Sequence, residues 1–235
     1  MTKGYFSLVL HAHLPYVHHP DFEEFMEEKW LFEAISETYI PLLRAFERLD
    51  KDKVPFAVTM SITPPLMEML DSKSLQEKYL RHLQALINLS AKEIEKTKEE
   101  DPKKHEMAKY YHEDFKDLLR IFKDEYQCRI LNGFKRFYES GQLEIITCNA
   151  THGFLPLMDR YPNAVRAQIK TGKQTYKNHI GENPKGIWLA ECGYTAGLDQ
   201  YLAEEDIRYF FVDSHGIWYA DTPPRYGVYR PLITE

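Results

Sequence analysis

Short runs of apolar residues alternate along this chain with longer stretches in which apolar residues recur every three or four positions. A continuous apolar run suits a strand covered on both faces, and the three-to-four spacing suits an amphipathic helix. Their alternation predicts β/α units around a parallel sheet, an α/β fold. Strands are expected at residues 5–10 (YFSLVL), 54–60, 143–148, 186–190 and 207–212, with a further one beginning at 227–232. Pro55 is expected to mark the start of the second strand, where a missing N–H does little harm. Helices are expected at 31–49, 163–179 and 198–204.

Residues 72–140 are long for one crossover and predict a helical excursion packed on the barrel. Ser74 and Glu77 have capping-box spacing, and Leu75, Tyr79, Leu83 and Leu86 keep one face apolar. The charge-dense residues 92–104 predict a solvated helix end and turn. A second helix should carry Phe115, Leu119, Phe122, Tyr126, Ile130, Phe134 and Phe137 toward the core and end at Gly141, in the position that favours a left-handed residue. No repeat, low-complexity tract or linker interrupts the chain, so residues 1–235 are expected to form one domain.

Composition narrows the function. The chain has 235 residues, 43% of them hydrophobic, and a net charge of −6, so it is expected to fold around a substantial core and not to bind nucleic acid, which would call for a basic stripe. No apolar run is long enough for a membrane span, and residues 1–5 lead directly toward a strand, so neither membrane nor signal peptide is expected. Three widely spaced cysteines, Cys128, Cys148 and Cys192, argue against a disulfide framework and for a reducing, cytoplasmic location.

In parallel α/β folds the chemistry gathers at the carboxyl ends of the strands. Here strand one ends in His11-Ala12-His13, strand two in Ser61, strand three in Asn149-Ala150-Thr151-His152, strand four in Glu191 and strand five in Asp213-Ser214-His215. A carboxylate directly after an apolar strand is held rigidly at the mouth of the core, which suits Glu191 to act as a nucleophile. Alternate residues of an extended segment share a face, so His11 and His13 point the same way, either toward sugar hydroxyls or toward a metal. Asp213 and His215 repeat that spacing and could orient Glu191 or touch substrate. Two other functions fit the same residues. His11, His13, His152 and Asp213 could hold a divalent ion in a metal-dependent hydrolase or polysaccharide deacetylase. The same pocket without an acid would make a non-catalytic glucan-binding subunit.

Five stretches resemble glycoside hydrolase family 57, in its branching-enzyme and α-amylase-like subgroup: residues 8–16 (LVLHAHLPY), 30–35 (WLFEAI), 143–153 (LEIITCNATHG), 186–194 (GIWLAECGY) and 226–231 (YGVYRP). The resemblance implies an incomplete barrel of seven β/α units, α-1,4-glucan (starch, glycogen, maltooligosaccharides) as substrate and no cofactor or metal. It implies that Glu191 is the nucleophile of a retaining mechanism and that His11 and His152, with His13 close by, bind the sugar beside the scissile bond. Transfer would go to a 6-hydroxyl in branching or to water in hydrolysis, and Ala190 before Glu191 leaves that choice open. A retaining enzyme needs a second carboxyl group about 5–5.5 Å from the first. The family places its acid, an aspartate, in a later motif, and nothing after Val212 matches it. The chain is therefore expected to cover the N-terminal part of the barrel, to be catalytically incompetent alone, and to self-associate or pair with a complementary C-terminal chain.

Overall fold

The computed structural model describes residues 4–234; residues 1–3, the start of the expected lead into strand one, and residue 235 lie outside the described residues. Strand β1 is Val9–Ala12 and is followed by helix α1 (Glu28–Ala34), a π-helical turn (Ile35–Tyr39) and helix α2 (Ile40–Lys51). Strand β2 is Val58–Ile62. Helices α3 (Pro64–Asp71), α4 (Lys73–Thr97), α5 (Pro102–Arg120) and α6 (Leu131–Glu139) then separate it from β3, Leu143–Cys148. Helix α7 (Pro162–Ile180), β4 (Gly186–Trp188), helix α8 (Leu198–Glu204), β5 (Tyr209–Phe210) and helix α9 (Ser214–Trp218) complete the order. The expected α/β class holds, with a five-stranded parallel sheet in the order β1-β2-β3-β4-β5 among the described residues and a helical excursion between β2 and β3.

The chain forms two compact units. The first takes the residues up to Pro15, Ala57–Glu68 and Leu143 onward; the second takes Tyr16–Phe56 and Met69–Gln142. In the first unit, Val165 and Ile169 of α7 pack with Ile187 of β4 and with Leu198 and Leu202 of α8 in one buried cluster. Helix α7 comes close to β3 at Gly172, where a Cβ would lie 2.2 Å from the Cys148 carbonyl oxygen, so only glycine fits. Tyr176 on the same helix donates its hydroxyl to the Ile145 carbonyl at 2.8 Å. These contacts fix the height at which β3 ends and hence where its loop begins.

The second unit is helical. Its apolar faces meet through Leu31, Leu43, Tyr79, Phe122 and Phe134, all buried. The Lys78 ammonium, buried within it, donates to both Glu28 carboxylate oxygens at 2.6 and 2.8 Å and to the His19 and Phe22 carbonyls at 3.0 and 2.7 Å. Four acceptor oxygens around its three N–H groups compensate a charge so far from water.

Several boundaries differ from expectation. β1 is Val9–Ala12 and not 5–10: Tyr5 and Phe6 are exposed, and the ladder to β2 begins with Thr59 N–H donating to the Leu8 carbonyl at 3.1 Å. β2 starts at Val58, so Pro55 lies before the strand rather than at its first residue. The helix expected at 31–49 is present but carries a π-helical turn just before Pro41, whose ring cannot sit over the carbonyl four residues back. The cap of α4 is Ser72, which accepts from Leu75 N–H at 3.4 Å; Ser74 lies inside the helix and Ser74–Glu77 form no capping box.

The single helix expected through 115–137 is two. A π-helical turn at Ile121–Glu125 and left-handed Gln127 and Cys128 break it, while Phe122, Tyr126, Ile130, Phe134 and Phe137 are all buried as expected. Gly141 does take the left-handed conformation after α6, with φ of 77°. β4 and β5 are shorter than expected, and residues 227–229 form a 3₁₀ turn, not a strand. Val228, Tyr229 and Leu232 are exposed, so that last segment has no core face to bury as a strand.

Candidate active site

Register in the sheet assembles the site. His11 of β1 lies opposite Ser61 of β2, and Cys148 of β3 lies opposite Trp188 of β4. His11 Nδ1 is 2.5 Å from Ser61 Oγ, and two residues on, His13 Nδ1 is 3.1 Å from Thr63 Oγ1. His152, in the loop after β3, has its Nδ1 3.1 Å from Cys148 Sγ. The three imidazoles stack: ring centres are 3.7 Å apart for His13 and His152, 5.2 Å for His11 and His152, and 6.0 Å for His11 and His13. The Trp188 indole lies on His11 at 4.6 Å, although β2 and β3 stand between their strands. Only a sheet rolled toward closure brings those rings together.

Glu191 follows β4 on a 3₁₀ turn, with φ of 53° and ψ of 27°. His152 and Cys192 are left-handed as well, with φ of 55° and 53°. For residues with a Cβ that conformation costs of order 1–3 kcal/mol each, and it clusters at functional sites. The turn pushes the Glu191 side chain outward, 80% exposed, while its Oε1 stays 3.8 Å from Nε2 of His152, whose side chain is only 7% exposed. That separation is too long for a hydrogen bond. The buried Nε2 of His152 has no other hydrogen-bond partner among the described residues.

The electrostatics follow from crowding. Burial, with repulsion from His13, lowers the His11 pKa to about 4, even though part of that ring is open to solvent. Burial and His152 lower His13 to about 4 against the opposing pull of Glu191, and burial with His11 lowers His152 to about 4. All three rings are therefore neutral near pH 7. Burial pushes the Cys148 thiol up to about 12. Burial, Asp213 and Glu191 raise that of Cys192.

A loop scaffold holds His152. Asn149, fully buried, donates to the Gly153 carbonyl at 2.9 Å and to Gln168 Oε1 at 3.2 Å. The same Gln168 oxygen accepts from Thr151 N–H at 3.0 Å, and the Gln168 carbonyl accepts from Ala150 N–H at 2.9 Å. One glutamine of α7 thus ties down the turn that presents His152.

The residues 7–235 match the model of glycosyl hydrolase family 57. The chain belongs to that family. It is 36% identical over 98% of its length to a 1,4-α-glucan branching enzyme of Thermococcus kodakarensis, of which it covers 35%. Its fold is similar to that of the α-amylase AmyC of Thermotoga maritima, with a TM-score of 0.95 and 58% identity over 99% of this chain and 44% of that one. The branching enzyme of Pyrococcus horikoshii aligns with a TM-score of 0.84 at 34% identity, over 92% of this chain and 43% of that one. The chain thus spans less than half the length of these relatives.

Of the strand-end residues, His11, His13, His152 and Glu191 come together. Asp213 and His215 are exposed and lie 3.8 Å apart, and among the described contacts neither reaches the stacked rings. Trp188, Thr63, Cys148 and Gln168 were not anticipated. The alternation Ser61-x-Thr63 beside His11-x-His13 is a signal that could have found Thr63. Trp188 and Gln168 carry no such mark, because a tryptophan in a strand and a glutamine in a helix are ordinary.

Proposed function

We propose that this chain presents the nucleophile and the sugar-binding face of an α-glucan-active enzyme of the branching-enzyme and α-amylase group. Glu191 attacks the anomeric carbon of an α-1,4 linkage and forms a glycosyl-enzyme. Water or a glucan 6-hydroxyl then accepts the sugar, giving hydrolysis or a branch. The observation that carries this reading is an open carboxylate at the rim of a stack of three neutral imidazoles. Neutral rings can hydrogen-bond sugar hydroxyls without neutralising a carboxylate that must act as a nucleophile. Trp188 backs the stack with an aromatic wall. The branching enzymes and amylase named above support α-glucan as the substrate class. In this reading Asp213 belongs to the binding face, and the general acid comes from outside the histidine stack.

The metal-dependent alternative finds no favouring geometry. The Nδ1 atoms are engaged by Ser61, Thr63 and Cys148, and stacked rings carry their in-plane lone pairs side by side rather than toward one point. Among the described residues no group of three or more His, Cys, Asp or Glu side chains is arranged to hold an ion.

The test is Glu191→Gln in the enzyme, assayed on amylose with and without EDTA, with circular dichroism to confirm the fold. Loss of a covalent nucleophile costs several powers of ten in rate, so turnover should fall below about a hundredth of the parent's. EDTA should change nothing. A variant that retains more than that rate would remove Glu191 from the reaction, and activity that vanishes with EDTA and returns with Zn²⁺ would favour the metallohydrolase.

A further inference from the structure

We propose that Ser61 and Thr63 are positioning residues, one for each ring, that lock His11 and His13 in the tautomer whose Nδ1 accepts and whose Nε2–H is presented to a bound sugar. The inference rests on the reading of the site given above and assigns work to two residues beneath it.

Each of the two rings has one hydroxyl partner, fully buried and lying in β2 or just past its end. The pairing is built into the sheet: His11 and Ser61 share a rung, and Thr63 N–H donates to the Ala12 carbonyl at 3.1 Å, which carries the register on to His13 and Thr63. A neutral imidazole has one N–H, and the nitrogen that accepts decides which nitrogen donates. Each buried hydroxyl has one hydrogen to place. Among the described hydrogen bonds, the Ser61 and Thr63 hydroxyls have no other acceptor than the histidine nitrogen. A buried hydroxyl hydrogen without an acceptor costs about 1–3 kcal/mol, so both hydroxyls donate to Nδ1 and leave the proton of the ring on Nε2.

His152 stands outside this lock. The Cys148 thiol has one hydrogen, Asn149 Oδ1 at 3.3 Å accepts it, and Nε2 of His152 is buried away from solvent. The result is two fixed donors, neither of them cationic. The wrong tautomer would turn a donor into an acceptor and leave a sugar hydroxyl mismatched.

The test is nitrogen-15 NMR of the histidine side chains in the full chain at neutral pH, with maltohexaose titrations in parallel. The wild-type spectrum should show protonated Nε2 and unprotonated Nδ1 on His11 and His13. Thr63→Val keeps the shape but removes the hydroxyl, and should drive His13 into a tautomer mixture; Thr63→Ser should restore the parent spectrum. Maltohexaose affinity should fall about tenfold in Thr63→Val and recover in Thr63→Ser. Protonated Nδ1 on either ring in the wild-type protein would overturn the proposal, whatever the variants do. An unchanged His13 spectrum in folded Thr63→Val would overturn it too. A tautomer change with unchanged maltohexaose affinity would uphold the lock and remove the sugar-binding role from the proposed function.

Discussion

Replacing Gly172 with alanine tests how tightly α7 sets the position of the β3 end. The new Cβ would lie 2.2 Å from the Cys148 carbonyl oxygen and 3.1 Å from Asn149 Cα, both backbone atoms, whereas ordinary contact begins at 3.4 Å. The helix must therefore retreat by about an ångström, because neither neighbour is a side chain that can swing aside. Retreat loosens the packing of buried Val165, Ile169 and Tyr176 and stretches the 2.8 Å bond from the Tyr176 hydroxyl to Ile145. Overpacking costs typically about 1–3 kcal/mol, and a weakened buried hydrogen bond adds about 1 kcal/mol. The expected loss is about 3 kcal/mol, a large share of the roughly 5–15 kcal/mol that holds a domain together. Urea denaturation of parent and variant measures it as a lower midpoint at unchanged slope. Gly216→Ala, in α9 where a Cβ meets nothing within 4 Å, is the control and should stay within about 0.5 kcal/mol of the parent. A Gly172→Ala variant within about 1 kcal/mol of the parent would show that α7 does not bear on β3 as described.

Two further outcomes are expected. Lys78→Met leaves the Glu28 carboxylate buried without its cation and should lower stability by about 3–5 kcal/mol in the same urea assay, while a loss below about 1 kcal/mol would mean the pair is hydrated or dispensable. The folded-state pKa values of His11, His13 and His152, lowered to about 4, predict that the unfolded chain takes up their protons first as pH falls. The stability tied to the neutral cluster is thus complete above about pH 6.5 and drains away between about pH 6.5 and about pH 4. His13→Gln should flatten the fall of the urea midpoint across that window, and an identical fall in parent and variant would refute the account.

Some of this protein is local and was therefore readable from its residues in order. Short continuous apolar runs mark strands covered on both faces, and the end of a strand marks where a side chain leaves the core. His11, His13, His152 and Glu191 follow from that, as does α8, whose bounds agree with expectation to the residue. The left-handed Gly141 follows from glycine chemistry alone. Other features depend on partners distant in the chain. The split of the expected 115–137 helix was not legible, because these residues keep one stripe at helical spacing and nothing in that spacing marks the π-helical turn or the left-handed Gln127 and Cys128. That Trp188 stacks on His11 across two strands was decided by the curl of the sheet, and sheet curvature is a property of all the strands at once. The protonation pattern of the histidines also waited on the tertiary structure. Desolvation and ring-to-ring repulsion act through space, and residues fifty apart in sequence, such as His13 and Thr63, acquire their relation only when β1 and β2 pair.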